Sequence, residues 1–124
     1  MSHLSTKAVD LLYENNLLII TIKAKSVIDQ ADVLEFVEGA KQLVRRETFA
    51  TLIDGREEHF MMQSAQELLS KTKSPTRVGM AILTNEPITE IRVDQYTQKV
   101  EGTQLTRRFN DYDTAVNWLK SLLP

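Results

Sequence analysis

Short apolar runs and longer stretches with apolar residues at helical spacing take turns along this chain, and that alternation restricts its fold more than any other feature. Residues 17–23 and 77–84 are nearly continuous apolar runs of strand length, the pattern of strands covered on both faces. Residues 49–53 form a third, ending at Asp54-Gly55. Residues 8–14 and 104–109 complete five predicted strands. Asn15-Asn16 lies between the first two and tolerates positive φ, which suits a two-residue hairpin turn. Between the later strands lie helical patterns. Val33, Phe36, Val37, Ala40, Leu43 and Val44 share one face of a predicted helix that Asp29 caps and that runs to Arg46. Ser64 and Glu67 match a capping box opening a short helix to about Lys71, broken by Ser74-Pro75. Glu86-Pro87 starts a third helix with Ile88, Ile91, Tyr96 and Val100 on one side, ended by Gly102. Asn110-Asp111 caps a fourth, whose face carries Ala115, Trp118, Leu119 and Leu122, with Trp118 expected as a core anchor. A strand-strand-helix unit followed by three strand-helix units predicts one α/β domain over residues 1–124: a five-stranded, mostly parallel sheet with an N-terminal antiparallel hairpin and four helices. The hairpin's first strand belongs at or near an edge.

Composition removes several functions. With 124 residues and 42% apolar content the chain can bury one core without staples. A net charge of −2 gives no broad basic face for nucleic acid. Cysteine is absent, which excludes disulfides, thiol nucleophiles and thiolate metal sites. No apolar run approaches the length of a membrane span, and the first residues, Met1-Ser2-His3-Leu4, lack a signal-peptide core. The expectation is a cytoplasmic protein without integral membrane association.

Chemistry is sparse. Asp54 ends a middle strand, where open α/β sheets place their ligands. A phospho-accepting receiver needs a lysine at a later strand end, and the ends here carry Thr84-Asn85 and Asn110-Asp111. A phosphatase of the aspartate type needs a second acid two residues on, where Arg56 stands. Asp54, Glu58 and His59 could form a metal site, but one loop with one histidine is a thin donor set. A strand-terminating turn explains Asp54-Gly55 better, the aspartate bonding the backbone and the glycine supplying positive φ. His59 reads as a solvated loop residue, and the four glycines form no phosphate-binding loop. Gly39 and Gly79 read as sites of close packing. Arg45-Arg46 and Arg107-Arg108 read as solubilising charges. Phe60-Met61-Met62 is the odd feature: part anchor to the core, part adaptable contact face.

The element order resembles the STAS fold of the SpoIIAA-like anti-sigma-factor antagonists. The resemblance covers nearly the whole chain and is sharpest in the final third, where RVGMAILT, a helix, and then Phe109, Asp111, Ala115, Trp118 and Leu119 look like the STAS-like branch. That branch is similar to the lipid-binding CRAL-TRIO fold. The resemblance implies a phosphorylation position at Ser64, following an apolar pair at Phe60-Met61. The antagonists carry aspartate-serine-serine-glycine there, whereas this chain reads Met62-Gln63-Ser64-Ala65.

Two functions of different classes follow. The first is a non-catalytic, cofactor-free regulatory or scaffold domain that binds a protein partner, or itself as a homodimer, through the sheet end around residues 54–64. Asp54, Phe60, Met61, Met62 and Ser64 belong to that face. The second, implied by the lipid-binding resemblance, is a carrier or sensor of a lipid or other apolar small molecule in a cavity lined by Phe60, Met61, Met62, Ile88 and Tyr96. An enzyme ranks third, for want of a nucleophile–base pair.

Overall fold

The computed structural model describes residues 2–72, 74–85 and 105–124. The fold starts from the hairpin. β2 (Val9–Glu14) and β3 (Leu17–Ile22) pair antiparallel, from Val9 opposite Ile22 to Glu14 opposite Leu17. Asn15 and Asn16 make the turn at φ 54° and 64°, the positive pair that a right-twisted hairpin requires. A further strand, β1 (Ser2–Ser5), pairs antiparallel with β2 and becomes the sheet edge. The sequence conceals it: SHLS offers one apolar residue, Leu4, opposite Leu11. Toward the interior β3 pairs in parallel with β5 (Phe49–Asp54), β5 with β7 (Arg77–Leu83), and β7 with β8 (Leu105–Phe109). Among the described residues the sheet is therefore six-stranded, in the order β1-β2-β3-β5-β7-β8, where five strands were expected.

A second, two-stranded ribbon was not expected at all. β4 (Ser26–Ile28) and β6 (His59–Met61) pair in parallel. At three residues each, they are too short for periodicity to reveal.

Each ribbon strand runs straight into a helix. Asp29 separates β4 from α1 (Gln30–Val44), and Met62 separates β6 from α2 (Gln63–Lys71). Asp29 caps as expected: its carboxylate accepts from the Asp32 N–H, and the Asp32 carboxylate accepts from the Asp29 N–H. α3 (Tyr112–Leu122) is capped by Asp111, whose carboxylate takes the Thr114 N–H and hydroxyl. These are the three helices among the described residues; the helix predicted from Glu86 lies outside them.

Two cores sandwich the sheet. Strand alternation sends Val9, Leu11, Leu18, Ile20 and Ile53 to one face, where Val33 and Phe36 of α1 and Ala65 of α2 cover them. It sends Leu17, Ala50, Leu52, Ala81 and Leu83 to the other, under Ala115 and Leu119 of α3. β5, between β3 and β7, is buried at every position. Gly39 and Gly79 are close-packing sites. A Cβ on Gly79 would lie 2.5 Å from Leu122 Cδ1, and one on Gly39 would meet Leu4 and Leu11 at 2.9 Å. Trp118 is half-buried and tilts against Phe109 with ring centroids 5.5 Å apart. It seals the margin of the second core; Leu119 and Ala115 are its fully buried centre.

Candidate functional site

Residues 54–64 do not make one face. They divide at the carboxyl end of β5, because Asp54 follows the alternation of Ala50 and Leu52 toward α3. Its residue exposure is only 9%. Its carboxylate binds Arg56 on both oxygens, Oδ1 taking Nε at 3.0 Å and Oδ2 taking Nη2 at 2.9 Å. Oδ1 also accepts the Arg56 backbone N–H at 3.2 Å. The guanidinium then lies 5.6 Å from the centroid of the Tyr112 ring, in the first turn of α3, a cation–π distance. Held this way, Arg56 has its proton affinity raised, chiefly by the Asp54 hydrogen bonds. The carboxylate's lone pairs are committed to a turn and a helix dock, as expected of a strand-terminating aspartate.

Gly55 corrects one detail of that reading. It has no left-handed φ. Its small size serves packing, since a Cβ would lie 3.1 Å from the His59 ring. The Gly55 N–H donates to the Leu83 carbonyl at 2.9 Å, and Asn85 Nδ2 donates to the Arg56 carbonyl at 2.7 Å. Gly55 and Arg56 are thereby fastened to the end of β7. His59 Nδ1 sits 2.8 Å from the Glu57 carbonyl, so its nearest partner is backbone. Among the described residues no group of three His, Cys, Asp or Glu side chains is placed to hold a metal.

Phe60-Met61-Met62 resolves by alternation. Met61 turns inward and packs on the first core. Phe60 and Met62 turn outward, 63% and 42% exposed. Phe60 is the register partner of Val27, itself 59% exposed. The outer face of the ribbon is therefore an exposed apolar patch of Val27, Phe60 and Met62. Val27 was missed from the sequence because its partner strand is more than thirty positions away. Of the residues expected to line a cavity with Ile88 and Tyr96, Met61 borders one of ≈ 550 Å³ that His59, Ile53 and Ile82 also line, while Phe60 and Met62 are exposed. Ile88 and Tyr96 lie outside the described residues.

Ser64 is not a cap. α2 begins at Gln63 with Met62 at the N-cap, where no side chain bonds the first turn. Strand pairing decides this: the Met62 N–H donates to the Ile28 carbonyl at 2.9 Å, and Met62's own carbonyl accepts from the Gln66 N–H at 3.0 Å. The chain thus enters the helix directly from the ladder, two residues ahead of Ser64, and Ser64 stands half-buried inside the first turn. Glu67 accepts from Gln63 Nε2 at 3.4 Å.

Residues 11–123 match the sequence profile of a domain of unknown function (DUF7793), and the chain belongs to that family. No curated protein matches it. Among solved structures it is similar to an uncharacterised protein of the DUF3478 family with a SpoIIAA-like fold from Shewanella loihica PV-4. The TM-score is 0.65 at 14% identity, over 94% of this chain and 98% of that one. The fold expected from the element order is thus met at the level of a SpoIIAA-like α/β architecture. No helix among the described residues is long and apolar enough to cross a membrane.

Proposed function

We propose that this chain is a non-catalytic regulatory or scaffold domain of the cytoplasm, related to the STAS proteins, that docks a protein partner or a second copy of itself on the outer face of the β4–β6 ribbon. One observation carries the reading: Val27 and Phe60 stand side by side in register, each about three-fifths exposed. Folding alone gives no reason to expose two large apolar side chains together, and such patches mark contact surfaces. Met62 extends the patch with a flexible, polarisable side chain. Asp54 does not join it, being committed to Arg56. Ser64, in the first turn of α2 just beyond Met62, is the position at which phosphorylation would regulate docking. Charge there suits the helix N-terminus and opposes desolvation of the neighbouring apolar face.

The test is capture from host lysate, with the molar mass in solution, for the parent, Val27→Ser/Phe60→Ser and Ser64→Asp. Loss of a specific partner or of the dimer in the double variant is expected. An unchanged partner set and mass would sink the proposal. Retention of partners by Ser64→Asp would remove the regulatory part alone.

A further inference from the structure

The second cavity lies elsewhere, between α1, α2 and the first face of the sheet, with a volume of ≈ 490 Å³. That is within the size range of small-molecule sites. Leu18 and Ile20 of β3, Phe36 and Val37 of α1, Leu69 of α2 and Met80 of β7 make its walls apolar. Among the described residues its charged lining is of one sign: Lys41, Arg45, Arg46 and Arg77 border it and no aspartate or glutamate does, in a chain whose net charge is −2.

The end of a helix commonly carries cations, which accounts for Lys41 and its neighbours one at a time. It does not account for Arg77, which comes from the start of β7 and borders the same opening. Lys41, Arg45 and Arg46 have no ion-pair partner among the described residues. Arg45 also adopts φ 60° and ψ −120°, a backbone region that non-glycine residues rarely enter.

We propose that this cavity binds a single-chain anionic amphiphile of the fatty-acid class, its acyl chain between the helices and the sheet and its carboxylate at the Lys41–Arg45–Arg46–Arg77 rim. The volume holds one acyl chain and not the two of a phospholipid. The cations discriminate against neutral and cationic chains of the same length. The site is separate from the ribbon face, and none of Val27, Phe60 and Met62 lines it.

Calorimetric titration of the full chain with dodecanoate, dodecanol and dodecyltrimethylammonium, each as monomers in solution, tests this. Dodecanoate should bind saturably at one site, at least tenfold more tightly than the other two, and less tightly as salt rises. Arg45→Glu/Arg46→Glu changes only exposed side chains and should weaken dodecanoate at least tenfold while leaving the melting temperature near that of the parent. Ala40→Phe, which fills the cavity, should abolish binding. Absence of dodecanoate binding, equal binding of the cationic chain, or undiminished binding by the charge-reversed variant would overturn the proposal. Val27→Ser/Phe60→Ser should bind dodecanoate like the parent, so failure here and failure of the docking face remain distinct results.

Discussion

Val27 and Phe60 are neighbours across the β4–β6 ladder, and both point away from the core although each is large and apolar. Their exposure makes their removal nearly free for the fold. Val27→Ser/Phe60→Ser should shift unfolding free energy by no more than about 0.5 kcal/mol per site, the usual range for surface substitutions. Chemical denaturation checks this. A loss of several times that size would make the two residues structural and undercut their reading as a contact face.

Asp54 and Arg56 make the opposite case. The carboxylate is largely buried and its partner is 42% exposed, so solvent screens the pair in part. Asp54→Asn should cost about 1 kcal/mol and loosen the start of α3, because the guanidinium over Tyr112 loses its anchor. Hydrogen exchange of the amides at 112–116 reads the loosening. Exchange at the parental rate would mean that α3 docks without Arg56.

The two helices after the ribbon respond differently to loss of a small polar side chain. Asp29→Ala removes a true cap and should destabilise by about 1 kcal/mol. Ser64→Ala removes a side chain that makes no cap bond and should stay within about 0.5 kcal/mol. Equal losses in thermal melts would show that Ser64 is a cap after all.

Tyr13 supplies an alkaline signature. Burial, aided by the nearby Glu47 carboxylate, pushes its phenol from 10.0 up to about 12. The folded chain keeps this proton while the unfolded chain gives it up, so the contribution is complete below pH 10 and is lost as pH rises toward 12. The stability difference between the parent and Tyr13→Phe should therefore move steadily against the parent across that interval. A pH-independent difference would place the phenol in water.

Most of the sheet was legible because its strands are buried runs bounded by turn chemistry. Asn15-Asn16 fixed the hairpin, and Asp29 and Asp111 marked two helix starts. Strands made by partners rather than by pattern were illegible. Ser2–Ser5 carries a single apolar residue, and the ribbon strands are one turn of alternation long. Missing the ribbon misplaced the site as well. It concealed that Met61 turns in while Phe60 and Met62 turn out, it moved the start of α2 ahead of Ser64, and it left Val27 unnoticed. Trp118 was placed on the correct helix face, but the small residues Ala115 and Gly79 draw that face closer at Leu119 and Leu122 than at the indole. Trp118→Ala should accordingly cost less than the ~3–5 kcal/mol of a fully buried aromatic.

Asp29 and Met62 are each a single residue between a ribbon strand and a helix, and the strands they follow are locked together at Ile28 and Met61. The chain has no slack at either joint. One inserted residue at position 29 or 62 would rotate the following helix through about 100°, swinging Val33 and Phe36, or Ala65, off the sheet. The same insertion among residues 56–58, all exposed to solvent, would be absorbed as a longer loop. Length variation in this architecture should therefore be tolerated before the ribbon and excluded immediately after it.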